Sequence, residues 1–426
     1  MDNTSSAYSS PSTSQGAGKL FTPGKIGPVE LPNRTIRSAA FEGMGKDNGP
    51  TPMLRDYHLS VARGGVGMTT LAYAGICRSA LSFDTQLWLR PEIVKPLREI
   101  TDGIHAAGAK ASIQIGHCGN MTHRSTAGGT PVGACTGFNL YSPTFVRGLR
   151  EDELAAIARD FGNAVNTARD AGFDCVEVHA GHGYLISQFL SPYTNRRRDR
   201  FGGPLDNRMR FMRMCMEQVM KAAGSDMGVL VKTNMRDGFK GGLEIDDCLT
   251  VARELEQLGA HALVLSGGFV SKAPMYVMRG EMPIYSMTYY MKQLWLKYGV
   301  RMAGRYMIKT EPYRDLYFLD DARVFRRELK LPLVYVGGVV SGEDMDKVLD
   351  AEGFDFLQMG RALLRDPGFV NKVKAERTHR CDCEHVNYCI ARMYSREMKC
   401  HKDCTELPAG IRREIARIKE RNGIKD

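Results

Sequence analysis

Eight short apolar runs recur along the chain, most of them followed by a longer stretch with helical spacing. That alternation limits the architecture more than any single motif does. The runs predict strands near Thr35–Ser38, Val66–Ala72, Lys110–Ile115, Cys175–His179, Met227–Thr233, Ala262–Ser266, Leu333–Gly337 and Phe354–Met359. Between them, Glu151–Ala171 sets Leu154, Ile157, Phe161 and Val165 on one helical face. Asp206–Ala222, Ile245–Leu258 and Ser341–Leu349 read as further helices, the last with Ser341 as N-cap and Asp344 at the third helical position. Strands that alternate with helices pair in parallel, and eight such units fit a closed (β/α)8 TIM barrel of the α/β class. The alternative, an open doubly wound sheet, announces itself with a Gly-rich loop after its first strand; this chain has Arg37-Ser38-Ala39-Ala40 there.

Two segments exceed a minimal barrel. An insertion after strand 6, Ser271–Lys330, is rich in aromatics (Tyr276, Tyr285, Tyr289, Tyr290, Trp295, Tyr298 and Tyr306). It forms either a lid or subdomain over the C-terminal face, or ordinary loop packing. The second is a Cys-rich C-terminal extension. The expected division is a disordered N-terminal tail over 1–19, a barrel over 20–371 and the extension over 372–426. The tail is Ser-, Thr-, Gly- and Ala-rich with Lys19 as its one basic residue, which argues against a transit peptide.

A net charge of +10 is spread along the chain, with one cluster at Arg196-Arg197-Arg198. It favours phosphate-bearing small molecules over a nucleic-acid surface. No apolar run reaches membrane-spanning length. Cys77, Cys118, Cys135, Cys175, Cys215 and Cys248 read as reduced thiols of a cytoplasmic protein. Neither nucleic acid nor membrane is an expected partner.

Chemistry concentrates at strand ends. The fourth run closes on His179-Ala-Gly-His182-Gly-Tyr184. Two imidazoles three residues apart cannot both face inward on a regular strand, but a turn over Gly181 and Gly183 lets them converge. Two neutral imidazoles can hold one carbonyl oxygen and so polarise a conjugated C=C, with Tyr184 as proton donor. A buried structural His or a metal pair is the other reading of the spacing. Val336-Gly337-Gly338 and Gln358-Met359-Gly360-Arg361 end the seventh and eighth runs, where barrels commonly bind phosphate: Gly admits backbone N–H groups and Arg361 adds charge.

The run from His179 continues through Gln188, Ser191-Pro192, Asn195, Arg198-Asp199-Arg200-Phe201-Gly202-Gly203 and Asn207-Arg208. Together with Pro32-Asn33-Arg34, Gln114-Ile-Gly-His117-Cys-Gly119, Val231-Lys232 and the two phosphate segments, it resembles the old yellow enzyme family of FMN-containing ene-reductases and NADH:flavin oxidoreductases. The similarity spans about Leu20 to Pro367 and is nearest the branch that includes the barrel domain of 2,4-dienoyl-CoA reductase. It implies FMN as cofactor and NAD(P)H as reductant. It assigns His179 and His182 to the substrate oxygen and Tyr184 to proton donation. Gln114 would meet the flavin pyrimidine edge, Ala72 to Ala74 would lie beside N5, and Ser38, Ala39 and Ala40 would lie under the ring. Lys232 stands where many members carry Arg; a cation there stabilises charge at N1, without bidentate contact. His117 matches a recurrent family histidine, but Asn120 replaces the usual basic residue.

Five cysteines crowd the extension: Cys381, Cys383, Cys389, Cys400 and Cys404. The dienoyl-CoA reductase branch holds an iron–sulfur cluster here with four cysteines; Val386 takes the place of the second. Cys381, Cys404, His385 or His401 supply enough ligands for iron–sulfur or zinc but not the spacing, and neither a cluster nor another metal is expected. The expected activity is reduction, by NAD(P)H through FMN, of the activated C=C of an enone, enal or enoyl thioester. Alternatives are a flavin oxidase or quinone reductase and a tRNA dihydrouridine synthase-like FMN barrel using Cys118; a non-catalytic flavin module ranks last. Cys118 otherwise reads as an inert buried thiol.

Overall fold

A computed structural model describes residues 18–424, so the expected tail up to residue 17 lies outside the described residues. Eight parallel strands form the centre: β1 (Thr35–Arg37), β2 (Met68–Gly75), β3 (Lys110–Gly116), β4 (Cys175–His179), β5 (Gly228–Asn234), β6 (Ala262–Ser266), β7 (Leu333–Val336) and β8 (Phe356–Met359). Each pairs with its successor, and β8 pairs with β1, which closes the ring. This is the expected (β/α)8 barrel, with strand ends within a few residues of the sequence reading.

The interior changes character from bottom to top. At the N-terminal end, Ile36, Met68, Cys175, Leu230, Ala262, Val264, Val334 and Phe356 pack together. A hairpin of Gly24–Ile26 and Val29–Leu31 plugs that end with Ile26, Val29 and Leu31. Each fully buried Leu, Ile, Phe or Met contributes about 1.5–3 kcal/mol. Toward the C-terminal end the inward side chains are polar: Gln114, Glu177, Lys232 and Gln358, all buried. Charge is costly to bury without partners, and these groups supply one another's.

The helices form as their periodicity dictates. Glu151–Asp170 buries Leu154, Ile157, Phe161 and Val165, and its first turn is fixed by Glu153, whose carboxylate accepts from Arg150 N at 2.8 Å. Ser341 caps Gly342–Asp346 by accepting from Asp344 N at 3.1 Å.

Three additions surround the C-terminal mouth. A small sheet after β3 (Val132–Gly133, Gly137–Asn139 and Thr144–Gly148) was not apparent from the sequence. The insertion after β6 contains Pro274–Met278, Ile284–Tyr289 and Leu294–Met307. It ends sooner than expected: Leu319–Glu328 is the ordinary helix that precedes β7, burying Leu319, Ala322 and Phe325. Tyr285, Tyr289 and Tyr290 pack on the extension, whereas Trp295, Tyr298 and Tyr306 are exposed. The extension folds as Tyr388–Arg392 and Ala409–Arg421. Glu414 ties the two together: its carboxylate accepts from Tyr285 N at 2.8 Å and Ser286 N at 2.7 Å, at the positive end of Ile284–Tyr289. Among the described residues no helix is long and apolar enough to cross a membrane.

Candidate active site

His179 ends β4 in register with Lys232 on β5. The chain then turns through His182 at φ +59° and Gly183 at φ +82° before Tyr184 opens the helix Leu185–Leu190. Glycine is required at two points. A Cβ on Gly183 would lie 2.5 Å from the Phe269 ring, and one on Gly181 would lie 2.6 Å from Asn234 Oδ1. Asn234 holds the turn by accepting from His182 N at 3.0 Å.

The turn brings the three expected residues together. Ring centroids of His179 and His182 are 5.1 Å apart, and those of His179 and Tyr184 are 4.5 Å apart. Tyr73 adds a fourth ring, 5.2 Å from Tyr184. Ser266 Oγ engages His182 Nε2 at 2.8 Å, which leaves Nδ1 for a ligand, and His179 Nδ1 is buried without a protein partner. Burial, with the Lys232 charge, pushes His182 down to about 3. Burial, then His182 and Lys232, push His179 well below its ordinary range. Burial raises the Tyr184 phenol, with Cys118 and Tyr394 adding to the rise. The cluster therefore presents two neutral imidazoles and a protonated phenol.

His117 stands apart from these rings. Its Nδ1 accepts from Gly119 N at 2.9 Å, so Nε2 carries the proton and donates to Ser79 Oγ at 3.1 Å. Cys118 is buried with Ala72, Tyr73 and Met121, and burial pushes its thiol up. Arg197 of the basic cluster is structural: it binds Asp199 and donates to Ala134 O at 2.9 Å and Leu149 O at 2.7 Å.

At the ends of β7 and β8 opens a cavity lined by Ser38, Ala40, Gly337, Gly338, Gln358, Gly360 and Arg361. Tyr313 and Tyr317 from the insertion and His385 from the extension complete its wall. Gly360 faces open space, with nothing within 4 Å of an added Cβ. Arg361 donates to Asn387 Oδ1 at 2.8 Å and lies over the Tyr313 ring, which stacks on His385 at 3.7 Å. Ala39 and Tyr184 both pack against the small buried cluster of Ala72, Tyr73, Cys118 and Met121. Ala74 does not join them. The register of β2 on β3 shifts between Leu71 and Ala74, and this bulge turns Ala74 into the outer core with Leu71 and Ala80.

The sequence reading missed Glu177, the hub of the polar interior. Its carboxylate meets Lys232 Nζ at 2.8 Å and accepts from Gln114 Nε2 at 2.7 Å and Gln358 Nε2 at 2.6 Å. Lys232 Nζ also reaches Ser38 Oγ at 3.4 Å. Gln358 Oε1 is buried with no partner, as expected of a group that awaits a ligand. An anion-accepting Gly/Arg end and a polar ring-edge end fit a flavin mononucleotide. The Arg37–Glu42 pair that braces the Ser38–Ala40 segment was also missed. Arg37 Nη1 donates to Glu42 Oε1 at 2.6 Å and to Thr70 O at 2.7 Å, while Ala72 N donates to Glu42 Oε1 at 3.2 Å. Tyr141 and Tyr394, from the small sheet and the extension, join their hydroxyls at 2.8 Å.

In the extension, Cys383 Sγ lies 3.8 Å from His385 Nδ1. Val386 is buried with Tyr388, Ile411, Ile415 and Ile418. Among the described residues no three His, Cys, Asp or Glu side chains converge to hold a metal ion.

A closed parallel barrel with a Gly/Arg-lined cavity at its last two strand ends, and neutral imidazoles and a phenol gathered at the end of β4, has the arrangement of a barrel enzyme. Residues 19–311 match the NADH:flavin oxidoreductase / NADH oxidase family. The 4,4'-dithiodibutanoate disulfide reductase of Rhodococcus erythropolis is 37% identical over 377 residues, covering 88% of this chain and 93% of the relative. The NADPH dehydrogenase of Listeria welshimeri is 30% identical over 357 residues, covering 83% and 93%. The chain belongs to the NADH:flavin oxidoreductase / NADH oxidase family and is an FMN-dependent NAD(P)H oxidoreductase. Solved structures agree in fold. The old yellow enzyme homologue from Zymomonas mobilis superposes with TM-score 0.70 at 22% identity, covering 91% of this chain and all of that one. A 2-naphthoyl-CoA reductase complex gives TM-score 0.76 at 22% identity, and this chain spans 56% of its length.

Proposed function

We propose that this protein reduces the activated C=C of an α,β-unsaturated carbonyl compound, with NAD(P)H as the source of electrons. The observation that carries the reading is the convergence of His179, His182 and Tyr184, together with a Gly/Arg cavity whose Ser38 meets Lys232 at 3.4 Å. Gly337, Gly338, Gly360 and Arg361 would hold the phosphate of FMN, and Ser38, Ala39, Ala40, Ala72, Gln114 and Lys232 its ring; when bound it would supply hydride. The chain's own residues do the rest. His179 and His182, neutral at working pH, donate to the carbonyl oxygen and draw electron density from the β carbon. Tyr184 keeps its proton in the buried site and delivers it to the α carbon. Lys232 supplies a buried cation near the ring site.

A second substrate class is favoured by the 37% identical relative, whose name makes it a disulfide reductase. The same residues suit that chemistry: the S–S bond breaks as hydride reaches one sulfur, and the leaving thiolate takes a proton from Tyr184. The test is a panel of cyclohexenone, a quinone, a dienoyl-CoA and a dithiodibutanoate disulfide offered anaerobically to the NADPH-reduced protein. Turnover of the enone or dienoyl-CoA supports the first reading. Turnover of the disulfide alone replaces it with the second, and turnover of the quinone alone leaves a quinone reductase.

A further inference from the structure

The strongest unassigned feature is a carboxylate at the centre of the barrel. Glu177 is fully buried, sits two residues before His179 on the same face of β4, and touches three polar side chains: Gln114, Gln358, which lines the cavity, and Lys232, which reaches Ser38 at the cavity wall. A carboxylate paired with an ammonium accepts hydrogen bonds and donates none. Each glutamine amide that meets it must therefore turn its NH2 toward Glu177 and its carbonyl away. That fixes both flips by chemistry. Gln114 and Gln358 point their Oε1 atoms away from Glu177, and Gln358 Oε1 is the buried acceptor left without a partner at the cavity wall. Lys232, held by Glu177 and Ser38, keeps one further N–H.

We infer that Glu177 is a positioning residue that sets the amides of Gln114 and Gln358 as acceptors, so that with Lys232 and Ser38 as donors they select a ring bearing an imide edge, –CO–NH–CO–. The inference deepens the FMN-dependent reading above and rests on it. The acceptors suit the imide N–H; the donors suit the flanking carbonyls. Without the anion, each amide is free to rotate by half a turn and present NH2 to the imide N–H, donor against donor. Selection for the imide N–H is then lost, although the glutamines are still present.

The test uses flavin-stripped protein, with riboflavin and 3-methylriboflavin as probes, their fluorescence quenching reporting affinity. Neither carries a phosphate, so the Gly337–Arg361 end does not contribute. The native protein is expected to prefer riboflavin by at least tenfold, about 1.4 kcal/mol. Glu177→Gln, nearly isosteric, is expected to lower riboflavin affinity about tenfold and leave 3-methylriboflavin within threefold, so the preference disappears. Gln358→Leu removes one presented acceptor, leaves Glu177 in place, and is expected to erode the same preference; it decides the matter if Glu177→Gln does not accumulate as folded protein. A native protein that binds both probes alike, or variants that keep the tenfold preference, overturns the inference. A native protein that binds neither riboflavin nor FMN overturns instead the flavin-dependent reading on which it rests.

Discussion

Replacing His182 by Asn tests the buried neutral pair through stability as well as activity. Asn tolerates the positive φ that His182 adopts, and the Ser266 contact of Nε2 that its shorter amide gives up is lost equally at both pH values. In the unfolded chain a histidine titrates near 6.5; in the fold His182 titrates at about 3. Above pH 6.5 both states are neutral and His182 contributes nothing pH-dependent. Below it, the unfolded chain takes up a proton that the folded site refuses, so stability falls with pH by up to 1.36 kcal/mol per unit until the folded pKa is reached. Between pH 6.5 and 5 that is about 2 kcal/mol from this residue. Urea unfolding at pH 7 and pH 5 measures it. His179, His117 and His385 are also pushed down, so the native protein loses more than this in total. Subtracting the two proteins isolates His182: the variant should lose about 2 kcal/mol less than the native chain. Equal losses would mean that His182 is not held neutral, and the reasoning about the donor pair would fail with it.

Tyr184→Phe should slow reoxidation of the reduced protein by an enone by about 10²–10⁴-fold while sparing its reduction by NAD(P)H; stopped-flow measurement of both half-reactions checks this, and equal loss in both removes Tyr184 as proton donor. Gly360→Val places its side chain in open cavity space without a clash. Its denaturant midpoint as apoprotein should match the native value while FMN affinity falls at least tenfold; unchanged affinity would move the phosphate elsewhere. Cys118→Ala should keep enone turnover within a few-fold, since burial keeps its thiol protonated; complete loss would favour the cysteine-dependent barrel chemistry considered from the sequence.

The barrel was legible because each strand carries its signal locally. The runs that became β1 to β8 are apolar and bounded by turn residues, and Ser341 with Asp344 marks a helix start within four residues. The convergence of His179, His182 and Tyr184 was legible because Gly181 and Gly183 sit inside the segment; both are needed by the turn that brings His182 back beside His179. Ala74 was expected beside Ala72 on the resemblance alone; the bulge in β2, which no local residue signals, packs it into the outer core instead. Glu177 was the missed opportunity: two residues before His179, its inward face follows from alternation alone, and a carboxylate inside an apolar strand calls for a partner. Tyr141, Tyr394 and His385 had no such signal. Their positions depend on how the small sheet, the insertion and the extension dock, through contacts such as Glu414 with Ser286, which join residues far apart in the chain.

The most direct measurement is a single anaerobic turnover. Protein reconstituted with FMN and reduced with one equivalent of NADPH is mixed with cyclohexenone, while the bound-flavin absorbance and the ketone product are followed together. Oxidised-flavin absorbance is expected to return in step with one equivalent of cyclohexanone, and far more slowly in the Tyr184→Phe protein. A protein that takes up no FMN, or whose reduced form stays reduced in the presence of the enone, would contradict it.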